Sequence, residues 1–300
     1  MRVLITGARG FIGAAVKLEL LDAGHEVIGI DCIGGAGIRV GDITRREDCV
    51  AACEGADVIV HSVAIHQAGR VAENPMQMVD VNVQGTLNIL QAAANAGTRR
   101  IVYLSSAKVY GEPERLPSVE TDLPRPREPY ALAKLVAEQY CQRFHDTGGM
   151  EVVVIRPFSV YGPGQDLNCG YVGMALEALK TDGVVSFPGQ ADYLRDFVHI
   201  RDVARLCSMS VTADLPGYTV LNAGAGRAHT LEELVVMTAN AADVDLSSHF
   251  RRASVETINR TWGDMGRAQA LLGYRPEIDL AQGIVDTVAW FMNGARRKHA

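Results

Sequence analysis

The chain has 300 residues, 48% of them hydrophobic and 21% charged, a balance that allows a large buried core and argues against disorder, collagen-like repetition and a disulfide-stapled miniprotein. Its 29 basic and 35 acidic residues leave a net charge of −6, so the chain as a whole offers no footprint for nucleic acid, and the basic run at 296–299 reads as a solvated end. Six cysteines (32, 49, 53, 141, 169 and 207) form no C-x-x-C pair, which speaks against a disulfide framework or thiolate zinc site and for a reducing cytoplasm.

Met1 and Arg2 lead straight into a strand, so no signal peptide is expected, and no apolar run is long enough for a membrane span. Val3-Leu4-Ile5 is a short buried run, followed by glycines and a helix from Phe11 to about Ala23. Val27 to Asp31, Val58 to Val60, Ile101 to Leu104 and Glu151 to Ile155 repeat the strand pattern, with helical stretches between them. Continuous Val/Ile runs, rather than alternation with polar residues, predict strands covered on both faces: a doubly wound parallel α/β sheet of the Rossmann kind. The turn chemistry of Tyr161-Gly162-Pro163-Gly164 marks a change of rhythm, with helices expected near 171–180, 201–211, 230–241 and 279–292. We divide the chain into a nucleotide-binding domain over 1–160, with later returns to its sheet, and a smaller α/β region over 161–300 that binds substrate.

Thr6-Gly7-Ala8-Arg9-Gly10-Phe11-Ile12-Gly13 lies between a strand and a helix. Glycines there permit a tight turn and close approach of a diphosphate to the helix N-terminus, through the amides of Gly7, Gly10, Phe11, Ile12 and Gly13. Asp31 ends the next strand, where a carboxylate reaches an adenosine ribose, and Cys32 and Ile33 bring no cation for a 2′-phosphate, so NAD is expected rather than NADP. Asp42 and Ile43 are candidates to flank the adenine, with a helix cap as the alternative for Asp42. Pro129 opens a helix on which Tyr130 and Lys134 share one face. A phenol titrating near ~10 is a weak base at neutral pH, and a nearby ammonium favours its phenolate. Ser106 follows the strand 101–104, at the carboxyl end where ligands bind; a turn cap is its other reading.

These stretches, in this order, resemble the extended short-chain dehydrogenase/reductases, specifically the NAD-dependent nucleotide-sugar epimerase/dehydratase group. The match runs through T-G-A-R-G-F-I-G (6–13), Asp31, H-S-V-A (61–64), D-V-N-V-Q-G-T (80–86), S-S-A-K-V-Y-G (105–111) and Y-A-L-A-K (130–134). It continues through R-P-F-S-V-Y-G-P-G-Q (156–165), R-D-F-V-H-I-R-D-V-A (195–204) and L-N-A-G (221–224). The resemblance implies a catalytic trio of Ser106, Tyr130 and Lys134, with Tyr130, Lys134 and Ala64 also at the cofactor. It implies that Arg195 contacts a substrate diphosphate. Lys108, Ser159, Asn168 and Phe187 complete the expected substrate contacts; a loop Asn and a core Phe are the plain alternatives for the last two. Two departures stand out: Ser159 replaces the usual Asn, and 251–264 lacks the R-x-G-D segment, for which Arg251, Arg252 or Arg260 are the nearest substitutes.

Dehydratases and decarboxylases of the group carry an acid immediately before V-Y-G; here that residue is Lys108, which points away from loss of water or carbon dioxide. The expected reaction is therefore epimerisation of a nucleotide sugar at C4, UDP-glucose 4-epimerase-like, through a keto intermediate, with NAD regenerated each cycle. A net dehydrogenase or ketoreductase of a related sugar, polyol or sugar phosphate is the alternative, and a non-catalytic dinucleotide sensor the third. No metal is expected, since His61 and His66 share neither a helix face nor a strand face. The helical stretches 76–97 and 130–146 are expected to pair two copies into a homodimer.

Overall fold

The computed structural model describes residues 1–66, 75–181, 183–251 and 258–297. Its centre is a seven-stranded parallel sheet in the order β3-β2-β1-β4-β5-β6-β10. The strands are β1 (Arg2–Thr6), β2 (Glu26–Asp31), β3 (Ile38–Val40), β4 (Val58–His61), β5 (Arg100–Leu104), β6 (Glu151–Pro157) and, returning late in the chain, β10 (Tyr218–Ala223). Every residue of β4 and β5 is buried, as a sheet covered on both faces requires. On one face lie α1 (Phe11–Asp22) and α7 (Ile200–Thr212), packed against each other. On the other lie α2 (Arg46–Cys53), α4 (Thr86–Ala96) and α5 (Pro129–Gly148). The strand order reverses direction between β1 and β4, and the crevice at their carboxyl ends is where such sheets bind ligands.

The stretch expected as one helix over 76–97 departs from a regular α-helix. It runs as α3 (Pro75–Val79), a π-helical turn over Asp80–Gly85, and then α4. The side chains explain the wide turn. Buried Asn82 makes two bonds with the backbone of Ile65, each 2.8 Å, and a Cβ at Gly85 would lie 2.6 Å from Ile43. The turn thus seats α4 against the loop after β4, a placement typical of π turns near functional sites.

Beyond Arg156 the elements are shorter. β7 (Ser159–Tyr161), β9 (Leu194–His199), β11 (Ala228–Thr230) and β13 (Arg260–Thr261) form a second sheet, and β8 (Val184–Pro188) pairs with β12 (Ser247–Arg251). Helices α6 (Gly170–Ala178), α8 (Leu231–Ala242) and α10 (Leu280–Arg297) close a separate apolar cluster around Phe187, Phe197 and Leu234, while α9 (Gly266–Leu272) packs beside β10. The predicted helices all appear within a few residues of their expected bounds; the short strands of this region carried no sequence signal.

Candidate active site

The glycine turn joins β1 to α1 at the strand reversal. Gly7 takes a left-handed φ of 70°, and its carbonyl lies so close to α1 that a Cβ on Gly13 would sit 2.1 Å from it. The N-cap Gly10 offers no side chain, and α1 has no acid in its first turn. The helix therefore presents its first amides, from Phe11, Ile12 and Gly13, without competition from a capping group, the arrangement that receives a diphosphate. Asp31 stands at the end of β2 and accepts the backbone N–H groups of Arg9 (3.0 Å) and Ile33 (3.2 Å), placing its carboxylate at the ribose end of the turn. These residues fit a dinucleotide. Asp42 instead caps its own turn, accepting from the amide and hydroxyl of Thr44 at 2.8 Å, and Ile43 is buried against Gly85. Ala64 is half-buried in the loop leaving β4.

Ser106, Tyr130 and Lys134 converge at the carboxyl end of β5. Ser106 lies two residues beyond the end of β5 and caps a 3-10 turn, Ala107–Tyr110, by accepting the Lys108 N–H at 3.2 Å. The turn-cap reading of this serine holds, and its hydroxyl also favours the Tyr130 phenolate against burial. Lys134 is 2% exposed. Its Nζ donates to the Leu104 carbonyl at 2.6 Å and lies 4.9 Å from the Tyr103 ring centre and 6.0 Å from that of Tyr130. Burial pulls this ammonium down to about 8. Burial also pushes the Tyr130 phenol well up, opposed by the Ser106 hydrogen bond and reinforced by the Glu128 carboxylate. Burial thus makes the Lys134 ammonium give up its proton more easily and the Tyr130 phenol hold its own more tightly than in water.

Beneath the trio lies a buried polar network. Glu138, one turn beyond Lys134, accepts from Ser105 and is gripped by Arg156 through bonds of 3.0 and 2.7 Å. His61 bridges Thr6 (2.6 Å) and Thr86 (3.0 Å), and burial lowers its pKa to about 3, so it remains a neutral spacer.

The comparisons with known proteins agree with this geometry. The NAD dependent epimerase/dehydratase family model matches residues 3–224. The chain belongs to this family. It is 32% identical to a UDP-glucose 4-epimerase of Mycolicibacterium smegmatis, over 98% of this chain and 99% of the relative. Among solved structures it superposes on MoeE5 in complex with UDP-glucose and NAD with a TM-score of 0.91 at 30% identity, covering all of both chains. A UDP-glucose 4-epimerase of Thermotoga maritima with UDP-glucose gives a TM-score of 0.92 at 26% identity, covering 98% of this chain and 100% of that one.

On the substrate side of this family member, the expected contacts are placed less simply. Lys108 pairs with Glu128 at 2.7 Å on the open face of the site. Ser159 is half-buried on β7. Asn168 is exposed and donates to Asp166 at 3.0 Å. Phe187 has no exposed surface; its ring packs against Tyr171 and Phe250 at 5.6 and 5.9 Å, which makes it part of the core. Arg195 is 5% exposed, lies between the rings of Tyr171 and Tyr193, and donates to the Tyr171 hydroxyl and to the carbonyls of Leu194, Ile258 and Asn259. Arg260 lies on β13, whereas Arg252 and the Arg251 side chain lie outside the described residues, as do Lys298 and His299 of the basic tail.

Three residues at the site went unassigned by sequence reasoning. His66 stands edge-on to Tyr130, ring centres 6.2 Å apart. Glu128 precedes Tyr130 by two residues. Arg9 lays its guanidinium over the loop after Asp31, donating to the Gly34 carbonyl at 2.6 Å. Only Glu128 had a local signal, as the charged residue at the start of a helix. Among the described residues no cluster of His, Cys, Asp or Glu could hold a metal ion, and no helix is long and apolar enough to cross a membrane.

Proposed function

We propose that this chain is an NAD-dependent epimerase that inverts C4 of a UDP-hexose of the UDP-glucose type. The observation that carries the reading is Tyr130, beside Ser106 and with the buried Lys134 ammonium 6.0 Å from its ring centre, at the carboxyl edge of a sheet whose glycine turn suits a dinucleotide. Bound NAD supplies the hydride acceptor on the outward step and the donor on the return. The residues do the rest. Tyr130 takes the proton of the sugar hydroxyl and returns it to the keto oxygen. The Ser106 oxygen accepts the N–H of Lys108, and its O–H is the donor proposed for that same substrate oxygen. Lys134 stabilises the phenolate by its charge.

Gly7, Gly10, Phe11, Ile12, Gly13, Asp31 and Ala64 are the assigned cofactor contacts, with Tyr130 and Lys134 at the nicotinamide end. Asp42 and Ile43 would support the adenine pocket through the turn they build. Ser159, Asn168 and Arg195 are assigned to the substrate; Arg195 must exchange carbonyl partners to grip a diphosphate, for which its guanidinium fork is suited. Lys108 in place of an acid leaves the turn without a carboxylate for dehydration, which favours return of the hydride over loss of water.

The 1–160 and 161–300 division is retained as a functional one, cofactor below and substrate above. A homodimer is supported by exposed Met76, Val79, Leu132 and Tyr140 on α3 and α5, and sedimentation tests it. A cytoplasmic location is consistent with six cysteines that form no disulfide. The deciding assay incubates the holoenzyme with UDP-glucose. Conversion to UDP-galactose without bulk NADH is expected, and Tyr130→Phe should abolish it; accumulation of NADH would favour the dehydrogenase reading, and an active Tyr130→Phe would remove the catalytic assignment.

A further inference from the structure

We propose that the ring of Tyr103 is the seat of the Lys134 ammonium, a positioning residue whose aromatic face takes the place of a counter-ion. The proposal rests on the reading of Lys134 as the cation that serves Tyr130, and adds the group that keeps that cation in place and charged. Lys134 Nζ stands 4.9 Å over the centre of the Tyr103 ring, closer than the 6.0 Å that separates it from the centre of the Tyr130 ring. A cation within about 6 Å of a ring centre is attracted by the negative face of the π-system, and the attraction grows when water is excluded. Water is excluded here, since Tyr103 has no exposed surface and Lys134 is almost wholly buried.

The need for such a seat follows from what surrounds Nζ. A buried ammonium has three donors to satisfy and a charge to balance. One donor goes to the Leu104 carbonyl at 2.6 Å. On its own helix stand Tyr130, Glu138 and Cys141. The Glu138 carboxylate is already divided between Arg156 and Ser105, and among the described residues no carboxylate forms an ion pair with Lys134. Burial keeps the Cys141 thiol and the Tyr103 phenol protonated, and it is the main force that keeps His61, on β4, and His66, in the loop after it, neutral. The compensating group that β5 supplies is therefore the face of Tyr103.

That ring is itself fixed. His61, its register neighbour on β4, stacks on it with centres 5.8 Å apart at an interplanar angle of 26°, and Thr6 and Thr86 hold His61 from either ring nitrogen. The Tyr103 hydroxyl, by contrast, is buried and finds no hydrogen-bond partner among the described residues. A buried hydroxyl without a partner costs stability, so what the site draws from this side chain is its ring and not its phenol group.

The test reads Lys134 directly. The chain has five lysines, so holoenzyme labelled with carbon-13 at lysine Cε gives few signals. Lys134→Met identifies the signal from the site, and its shift against pH follows the ammonium without any turnover. Tyr103→Leu removes the face and should lower the titration by about one pH unit, or about tenfold in proton affinity, the scale of a desolvated contact. Tyr103→Phe keeps the face and should leave the titration within about a third of that shift. Phenylalanines carrying one, two and three ring fluorines at the same position drain the face stepwise with little change of shape, and should lower the titration in sequence. That series carries the test if Tyr103→Leu does not fold.

A titration unmoved or raised in Tyr103→Leu would overturn the proposal. So would a fluorinated series without trend, which would show that the ring only fills space. A Tyr103→Phe variant displaced as far as Tyr103→Leu would overturn it too, by assigning the effect to the hydroxyl. The failures are distinguishable: an active Tyr130→Phe defeats the proposed reaction itself, whereas a Lys134 signal that ignores the ring defeats only the role of Tyr103.

Discussion

Replacing Arg156 by methionine should cost more stability than any surface change in the molecule. The guanidinium holds both oxygens of Glu138, at 3.0 and 2.7 Å, and the two side chains are 5% and 3% exposed. Charge centres about 4 Å apart attract by ~4 kcal/mol at an effective dielectric of about 20, and removing one partner of a buried pair typically costs ~3–5 kcal/mol because the other charge is left unpaired. A folded domain has only ~5–15 kcal/mol to lose. The contact matters for function because Glu138 lies one turn beyond Lys134 and also accepts from Ser105, the neighbour of Ser106; the pair thus ties β6 and the end of β5 to the catalytic helix. Urea unfolding at saturating NAD measures the loss, with the slope checked for an unchanged transition. Arg156→Met combined with Glu138→Leu removes both charges and should recover at least half of the deficit. A single variant within about 1 kcal/mol of wild type, or a double variant as unstable as the single, would refute the argument that an unpaired charge is what hurts.

Two further perturbations probe the site directly. Gly13→Ala places a methyl 2.1 Å from the Gly7 carbonyl and 2.8 Å from Ser62 Oγ, so the turn must open; NAD affinity by isothermal titration should fall at least ~10-fold, and retention of wild-type affinity would mean that the turn is not the diphosphate seat. The pH dependence has a definite sign. With the Lys134 ammonium pulled down to about 8 and the Tyr130 phenol pushed up, the pair is proton-loaded and idle at low pH, and kcat should rise through a limb at or below pH 8, since the cationic nicotinamide favours proton loss. Lys134→Met leaves Tyr130 alone, so the limb should move above ~10 and the rate at neutral pH drop by ~100-fold or more; an unmoved limb would show that the lysine does not share the titration.

Much of this site was legible because its signals are local. The glycine spacing, Asp31 at a strand end, and Tyr130 and Lys134 four residues apart on a helix each follow from the geometry of one element, and all four keep the places expected of them. The Val/Ile runs announced the parallel sheet for the same reason. The π turn at Asp80–Gly85 was invisible, because its cause is a pair of bonds from Asn82 to Ile65 across seventeen residues. The short strands of the C-terminal region were equally silent. Two- to six-residue strands such as Arg260–Thr261 are set by their neighbours rather than by their own periodicity.

The substrate side shows the deeper limit. A motif names a polar residue, but chemistry depends on whether its donors and acceptors are already committed, and the partners that commit them are distant in sequence. Arg195 is spent on the carbonyls of Ile258 and Asn259, more than sixty residues away. Lys108 is matched by Glu128, twenty residues on. Asn168 and Asp42, by contrast, are committed to partners only two residues distant. A buried guanidinium with four satisfied contacts gains nothing from a phosphate unless the new bonds exceed those it gives up, so its role in binding is set by an exchange of partners and not by its charge alone. Tyr130 is the opposite case. Its neighbours Ser106 and Lys134 are brought to it by a strand end and by one helix face, both readable from the sequence.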